Sequence, residues 1–237
     1  MIIFMSGTSC TGKTSTLNEF PNFINIESTN LKINCPVFKE YISATTPRKL
    51  MDNPTFSMLT KHGGVYEESF DADYHQHFIL EYFSREFKKI FIKHKEICQE
   101  QPDTEPVFIV ERSLNDVLGY AYAFQCLNLG YLENKVTDFF INMRLDHPDI
   151  AIYEMHFPIN PEVPYDEENG RRPPIHIRDA CQYYLNHLSS TEYAVKDEVS
   201  GYSIADNVDN IIEFLEKPLQ IMNLIANHNG RLRNKSE

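Results

Sequence analysis

The chain has 237 residues, 42% of them hydrophobic and 24% charged, which is enough to bury a substantial core as one domain spanning residues 1–237. A formal net charge of −12 argues against broad contact with duplex DNA, whose binding relies on Lys and Arg replacing counterions. No stretch approaches the roughly 18–20 apolar residues of a membrane span. The five cysteines, Cys10, Cys35, Cys98, Cys126 and Cys181, form no C-x-x-C pair and read as reduced, mostly buried thiols.

The N-terminus opens with an apolar strand, Ile2-Ile3-Phe4-Met5-Ser6, and no basic segment or cleavage site marks it as a secretory signal, so a cytoplasmic location is expected. The strand runs into Gly7-Thr8-Ser9-Cys10-Thr11-Gly12-Lys13-Thr14, followed by Ser15, a complete G-x-x-x-x-G-K-[ST] loop. Gly7 and Gly12 allow the backbone to turn successive N–H groups inward around phosphates. Lys13 is suited to the β- and γ-phosphates and the Thr14 hydroxyl to Mg²⁺. Cys10 is expected to matter through its backbone rather than its sulfur.

A first helix is predicted over residues 12–20, stopped by Pro21, and a short second strand over 34–42. Residues 43–70, broken by Pro47, Pro54 and Gly63-Gly64, read as loop and short helix. The pattern of Phe78, Tyr82, Phe83, Phe87, Ile90, Phe91 and Ile97 predicts a long amphipathic helix over 71–101, with Asp71 and Asp73 at its N-terminal end. Val107-Phe108-Ile109-Val110 reads as a buried parallel strand that ends in Glu111-Arg112-Ser113. Two helices separated by Gly130 are predicted over 114–129 and 132–145, and a strand over 149–155. A Pro-rich charged loop follows over 157–174, then a helix over 175–188, a weaker strand over 192–195, an amphipathic helix over 208–225 and a polar tail, 227–237, prone to fray. Alternation of strands and helices implies an α/β three-layer sandwich of the P-loop NTPase kind, with a mostly parallel sheet.

Open α/β sheets bind ligands at the C-terminal ends of their strands, so polar residues there are candidates. Glu40 follows the second strand and Glu111-Arg112 the strand after the long helix, while Arg171, Arg172 and Arg178 lie in or beside the late loop. In phosphoryl transfer, carboxylates orient the acceptor hydroxyl or Mg²⁺, and arginines neutralise developing charge. Competing structural roles are a Glu111–Arg112 pair or a helix cap for Glu111, a solvated strand end for Glu40, and a self-paired charge cluster for Arg171 and Arg172. His75 and His77 stand two apart on a predicted helix and point apart, which disfavours a shared metal.

Taken in order, the phosphate loop, Lys39-Glu40-Tyr41, the helix at 71–87, Phe108-Ile109-Val110-Glu111-Arg112-Ser113, and the strand at 149–155 with residues 166–172 resemble small P-loop kinases of the ribosylnicotinamide-kinase type and related phage and bacterial AAA-labelled ATPases. The resemblance spans roughly residues 1–190. It implies substrate-hydroxyl and Mg²⁺ contacts for Glu40 and Glu111, and a lid-arginine role for Arg171 or Arg172 within a lid at 157–178. Glu111-Arg112-Ser113 also looks like the Glu/Asp-Arg segment of deoxynucleoside and thymidylate kinases. The sequence departs from the pattern at residues 22–34, a longer stretch than expected, and offers only Arg48 for an arginine beyond Glu40.

The expected activity is therefore transfer of the γ-phosphoryl group of ATP, with Mg²⁺, to a nucleoside-like or nucleotide-like small molecule. Lys13, Glu40, Glu111, Arg112, Arg171 and Arg172 are its expected catalytic residues, and Thr14 and Glu111 its metal ligands. Phosphorylation of a DNA or RNA hydroxyl, or a noncatalytic ATP-dependent switch, are the competing readings. No membrane partner is expected, and a homodimer is compatible with the sequence.

Overall fold

The computed structural model describes residues 1–28, 31–42, 71–159, 165, 173–188, 195–198 and 204–233. The expectations for residues 43–70, for Arg48, and for Arg171 and Arg172 lie outside them. In chain order the described elements are β1 (Ile2–Ser6), α1 (Lys13–Glu19), β2 (Phe23–Ser28), β3 (Leu31–Glu40), α2 (Ala72–Glu100), β4 (Val107–Val110), α3 (Leu114–Ala123), α4 (Leu129–Asp146), β5 (Ile152–His156), α5 (Ile175–His187), β6 (Val195–Glu198) and α6 (Ile204–Arg233). The strands form one six-stranded sheet in the order β2-β3-β4-β1-β5-β6. Every pairing is parallel except that of β2 with β3.

The central strand β1 is buried along its whole length. A strand's period of two sends Ile2 and Phe4 to one face and Met1, Ile3 and Met5 to the other. On the first face Phe4 meets α2 and α4, its ring centroid 4.7 Å from that of Phe87 and 5.7 Å from that of Phe140. On the second face Ile3 and Met5 share a core with Leu17 of α1 and with Ile211, Leu215 and Leu219 of α6. The result is a helix–sheet–helix sandwich whose continuous apolar strands suit a sheet covered on both sides. Truncating Phe4 to Ala would open a cavity at the first interface and cost about 3–5 kcal/mol.

The stretch at 22–34 that exceeds the expected length is explained by a hairpin. β2 pairs antiparallel with the first half of β3, from Phe23 opposite Pro36 to Ser28 opposite Leu31. Val37 to Glu40 then pair in parallel with β4. The predicted strand thus begins three residues earlier than expected and carries an edge partner. Its sequence signature is the alternation Ile24, Ile26, both buried, against Phe23 and Asn25, both exposed.

Gly130 does not separate two helices; it is the second residue of α4. The break lies earlier, at Phe124–Asn128, where Gln125 adopts φ 55° and Asp73 of α2 accepts a 2.9 Å hydrogen bond from the Asn128 backbone N–H. A tertiary contact to α2, rather than the glycine, marks where the turn ends and α4 begins. The last helix runs on to Arg233, past the predicted end at residue 225 and into the tail expected to fray. β6 spans Val195–Glu198; of the strand predicted over 192–195, only Val195 lies within the described residues.

Candidate active site

The phosphate loop leaves β1 at its C-terminal end and enters α1 through Gly12, whose φ of 86° only glycine adopts without strain. Gly7 is required for a second reason. Its φ is 142°, and a Cβ there would sit 2.5 Å from the carbonyl oxygen of Phe157. Cys10 also takes a left-handed φ, 61°, consistent with a role for its backbone. Ser9 Oγ lies 3.1 Å from the Tyr120 hydroxyl on α3, and Thr8 Oγ1 donates to Gln182 Oε1 on α5 at 3.4 Å. Ser15 is exposed on the first turn of α1.

Lys13 is buried. Its ammonium donates to Gly7 O at 2.7 Å, Thr8 O at 2.6 Å and Thr11 Oγ1 at 3.0 Å, which uses all three of its donors. Burial lowers its pKa to about 8; neighbouring Arg112 acts in the same direction, and Asp116 and Glu111 oppose it. A phosphate oxygen entering the loop would replace loop oxygens around a lysine already in place.

β4 pairs beside β1 and brings Glu111 to the loop, so Thr14 Oγ1 donates to Glu111 Oε1 at 2.6 Å. Neither structural alternative for Glu111 describes its side chain. Arg112 pairs with Asp116, Nη1 to Oδ2 at 3.4 Å, and α3 is capped by Ser113, whose Oγ accepts the Asn115 N–H at 3.2 Å. Burial raises the Glu111 pKa, against the Thr14 hydrogen bond and the charges of Arg112 and Lys13. Its second oxygen, Oε2, is buried without a hydrogen-bond partner. An orphaned hard carboxylate oxygen beside a threonine hydroxyl fits a divalent cation completed by phosphate oxygens and water. Among the described residues no group of three or more His, Cys, Asp or Glu side chains is placed to hold a metal by itself.

Glu40 is brought to Glu111 through the main chain, the Glu111 N–H donating to Glu40 O at 3.1 Å. Its carboxylate accepts from Lys93 of α2 at 2.9 Å, and that ammonium also lies over the rings of Phe38 and Phe108. Arg178, in the first turn of α5, is largely buried, stacks over Tyr165 at 4.3 Å and pairs with Asp179. His77 faces Glu81 and the Tyr131 ring.

Two buried carboxylates next to the loop escaped the sequence reading. Asp116, in the first turn of α3, accepts the Gly7 N–H at 2.8 Å. Glu154 of β5 accepts from Ser113 Oγ at 3.0 Å and Asn115 Nδ2 at 2.6 Å. Burial raises the pKa of both. A clue to Glu154 was available, since a lone carboxylate within a buried strand needs polar partners. Asp116 carried no such signal, because an acid in a helix's first turn is ordinary.

Fold and loop define a P-loop α/β protein with a mostly parallel sheet. Neither a family model nor a curated protein matches the sequence. Similar solved structures include thymidylate kinase from Candida albicans, at 12% identity and TM-score 0.49, covering 92% of this chain and 91% of that one. Deoxyadenosine kinase from M. mycoides is similar at 13% identity and TM-score 0.46, covering 92% and 100%. Thymidylate kinase from Ehrlichia chaffeensis follows at 14% identity and TM-score 0.45, covering 91% and 98%. None of the three is a ribosylnicotinamide kinase. No described helix is long and apolar enough to cross a membrane.

Proposed function

We propose that this chain is an ATP-dependent phosphotransferase that moves the γ-phosphoryl group onto a nucleoside-like or nucleotide-like small molecule. The observation that carries the reading is the meeting of Thr14 with Glu111 beside a buried Lys13, with Glu111 Oε2 left unpartnered. In this reading the loop amides and Lys13 bind the β- and γ-phosphates, the lysine exchanging Gly7 O and Thr8 O for phosphate oxygens. Thr14 and Glu111 would hold Mg²⁺, which when bound supplies charge neutralisation at the phosphate oxygens. Arg112, about a quarter exposed, offers a cation to the transferring group from the strand end next to the loop.

Glu40 orients or accepts a proton from the acceptor hydroxyl once its carboxylate leaves Lys93, an exchange that an exposed ion pair permits at little cost. The segment 157–178, with Arg171 and Arg172, serves as a lid that closes over the phosphates. The whole chain acts as one kinase domain.

The test is a screen with γ-labelled ATP and Mg²⁺ against nucleosides, nucleotides, nicotinamide riboside and oligonucleotides. Label transferred to one class of low-molecular-weight acceptor is the expected result. Label on oligonucleotides alone would make the protein a nucleic-acid kinase, and binding without transfer would make it a switch.

A further inference from the structure

Both peptide groups that flank the start of the phosphate loop are held by charge. The Gly7 carbonyl accepts from Lys13, and the Gly7 N–H donates to Asp116 Oδ1 at 2.8 Å. The other oxygen of the same carboxylate, Oδ2, faces Arg112 Nη1 at 3.4 Å. Asp116 is almost wholly buried, on the rigid first turn of α3, whose N-terminus is tied by Ser113 to Glu154 in the sheet. One carboxylate therefore links the first amide of the loop to the arginine at the neighbouring strand end.

This linkage has a purpose that simple satisfaction of the Gly7 N–H does not require. A neutral acceptor, or water, would serve the amide. An ionised or charge-sharing group is needed where two cations, Lys13 and Arg112, converge near a loop that is to receive anions. The Asp116 carboxylate, 3.4 Å from Arg112 Nη1, supplies that counter-charge beside Lys13.

We propose that Asp116 is a positioning residue that fixes Arg112 and the Gly7 amide in one relation, so that arginine and loop engage the same phosphate group. The proposal rests on the reading of the loop as a nucleoside-triphosphate site. Asp116 touches no substrate itself; it acts through Arg112 and Gly7. Its chemistry is not interchangeable with that of Glu111, whose bonded oxygen is engaged by Thr14 on the other side of the loop.

Affinity for Mg²⁺ with a nonhydrolysable ATP analogue, measured by calorimetry on the full chain, tests this without any acceptor. Asp116→Asn keeps an oxygen for the Gly7 N–H and removes the charge that faces Arg112. Asp116→Asn and Arg112→Ala are each expected to weaken binding about tenfold, and the double variant no more than the weaker-binding single one, since both remove one unit. Binding by Asp116→Asn within twofold of the wild type, or losses that multiply in the double variant, would overturn the proposal.

A second measurement stands even if Asp116→Asn does not fold. The Gly7 amide resonance in ¹⁵N-labelled protein should shift on Arg112→Ala, because the carboxylate that accepts from it loses its partner; an unmoved resonance also overturns the coupling. A wild type that fails to bind the analogue while the resonance shifts would sink the nucleotide reading and leave the Asp116 link intact.

Discussion

Thr14 Oγ1 donates to one oxygen of Glu111 at 2.6 Å, and the other oxygen of that carboxylate is buried with no partner. The first residue closes the phosphate loop and the second ends the adjacent strand, so the relationship exists only because β4 pairs in parallel beside β1. Burial raises the Glu111 pKa, which means that the fold holds its charge at a cost in stability above the ordinary carboxylate pKa. Glu111→Gln should therefore leave the melting temperature unchanged or higher, while turnover falls by about a hundredfold. Thermal melting and initial rates on the same preparations check this; a less stable variant with full turnover per folded molecule would make Glu111 structural.

Lys13→Ala is expected to affect both function and folding, because its ammonium satisfies two buried loop carbonyls. Loss of the charge should lower turnover by about 10²–10³-fold, and the orphaned carbonyls should cost about 1–3 kcal/mol in urea unfolding. Near-normal turnover in the folded variant would remove the phosphate role of the loop.

The exposed ion pair of Glu40 with Lys93 separates two roles of the glutamate. A pair of this kind stabilises by at most about 1 kcal/mol. If Glu40 serves the acceptor hydroxyl, Glu40→Gln lowers kcat by about a hundredfold and Lys93→Met leaves it within a few-fold. Equal effects of the two changes on rate would assign the pair to structure alone.

His75, near the start of α2, provides a pH-dependent prediction away from the site. Burial lowers its pKa from 6.5 to about 4. The unfolded chain therefore binds this proton near pH 6.5 and the fold only near pH 4, so stability falls as pH drops through that window and levels off below it. The contribution is at most about 3 kcal/mol. His75→Leu, which cannot titrate, should show a shallower loss than the wild type in denaturant titrations at pH 7, 5.5 and 4, whereas parallel curves would show that the imidazole is not held neutral by the fold.

Local chemistry was sufficient to make much of this protein legible in its sequence. The loop from Gly7 to Thr14 announces itself because glycine spacing, lysine and hydroxyl must follow a strand and open a helix, and the structure places them so. Val107–Val110 and Ile2–Ser6 read as buried strands because a sheet covered on both faces leaves no room for polar alternation. The long helix was legible from its apolar stripe and from Asp71, whose side chain caps it by accepting the Tyr74 N–H. What tertiary structure alone decided is which polar groups share a site. That Asp116 faces Gly7 across 109 positions of sequence, or that Asp73 ends the turn before α4, follows from helices docking on the sheet and on one another, and pairwise proximity of that kind leaves no periodic trace in the chain. The burial of Lys13 belongs to the same class, since a lysine reads as exposed until the loop around it supplies three acceptors.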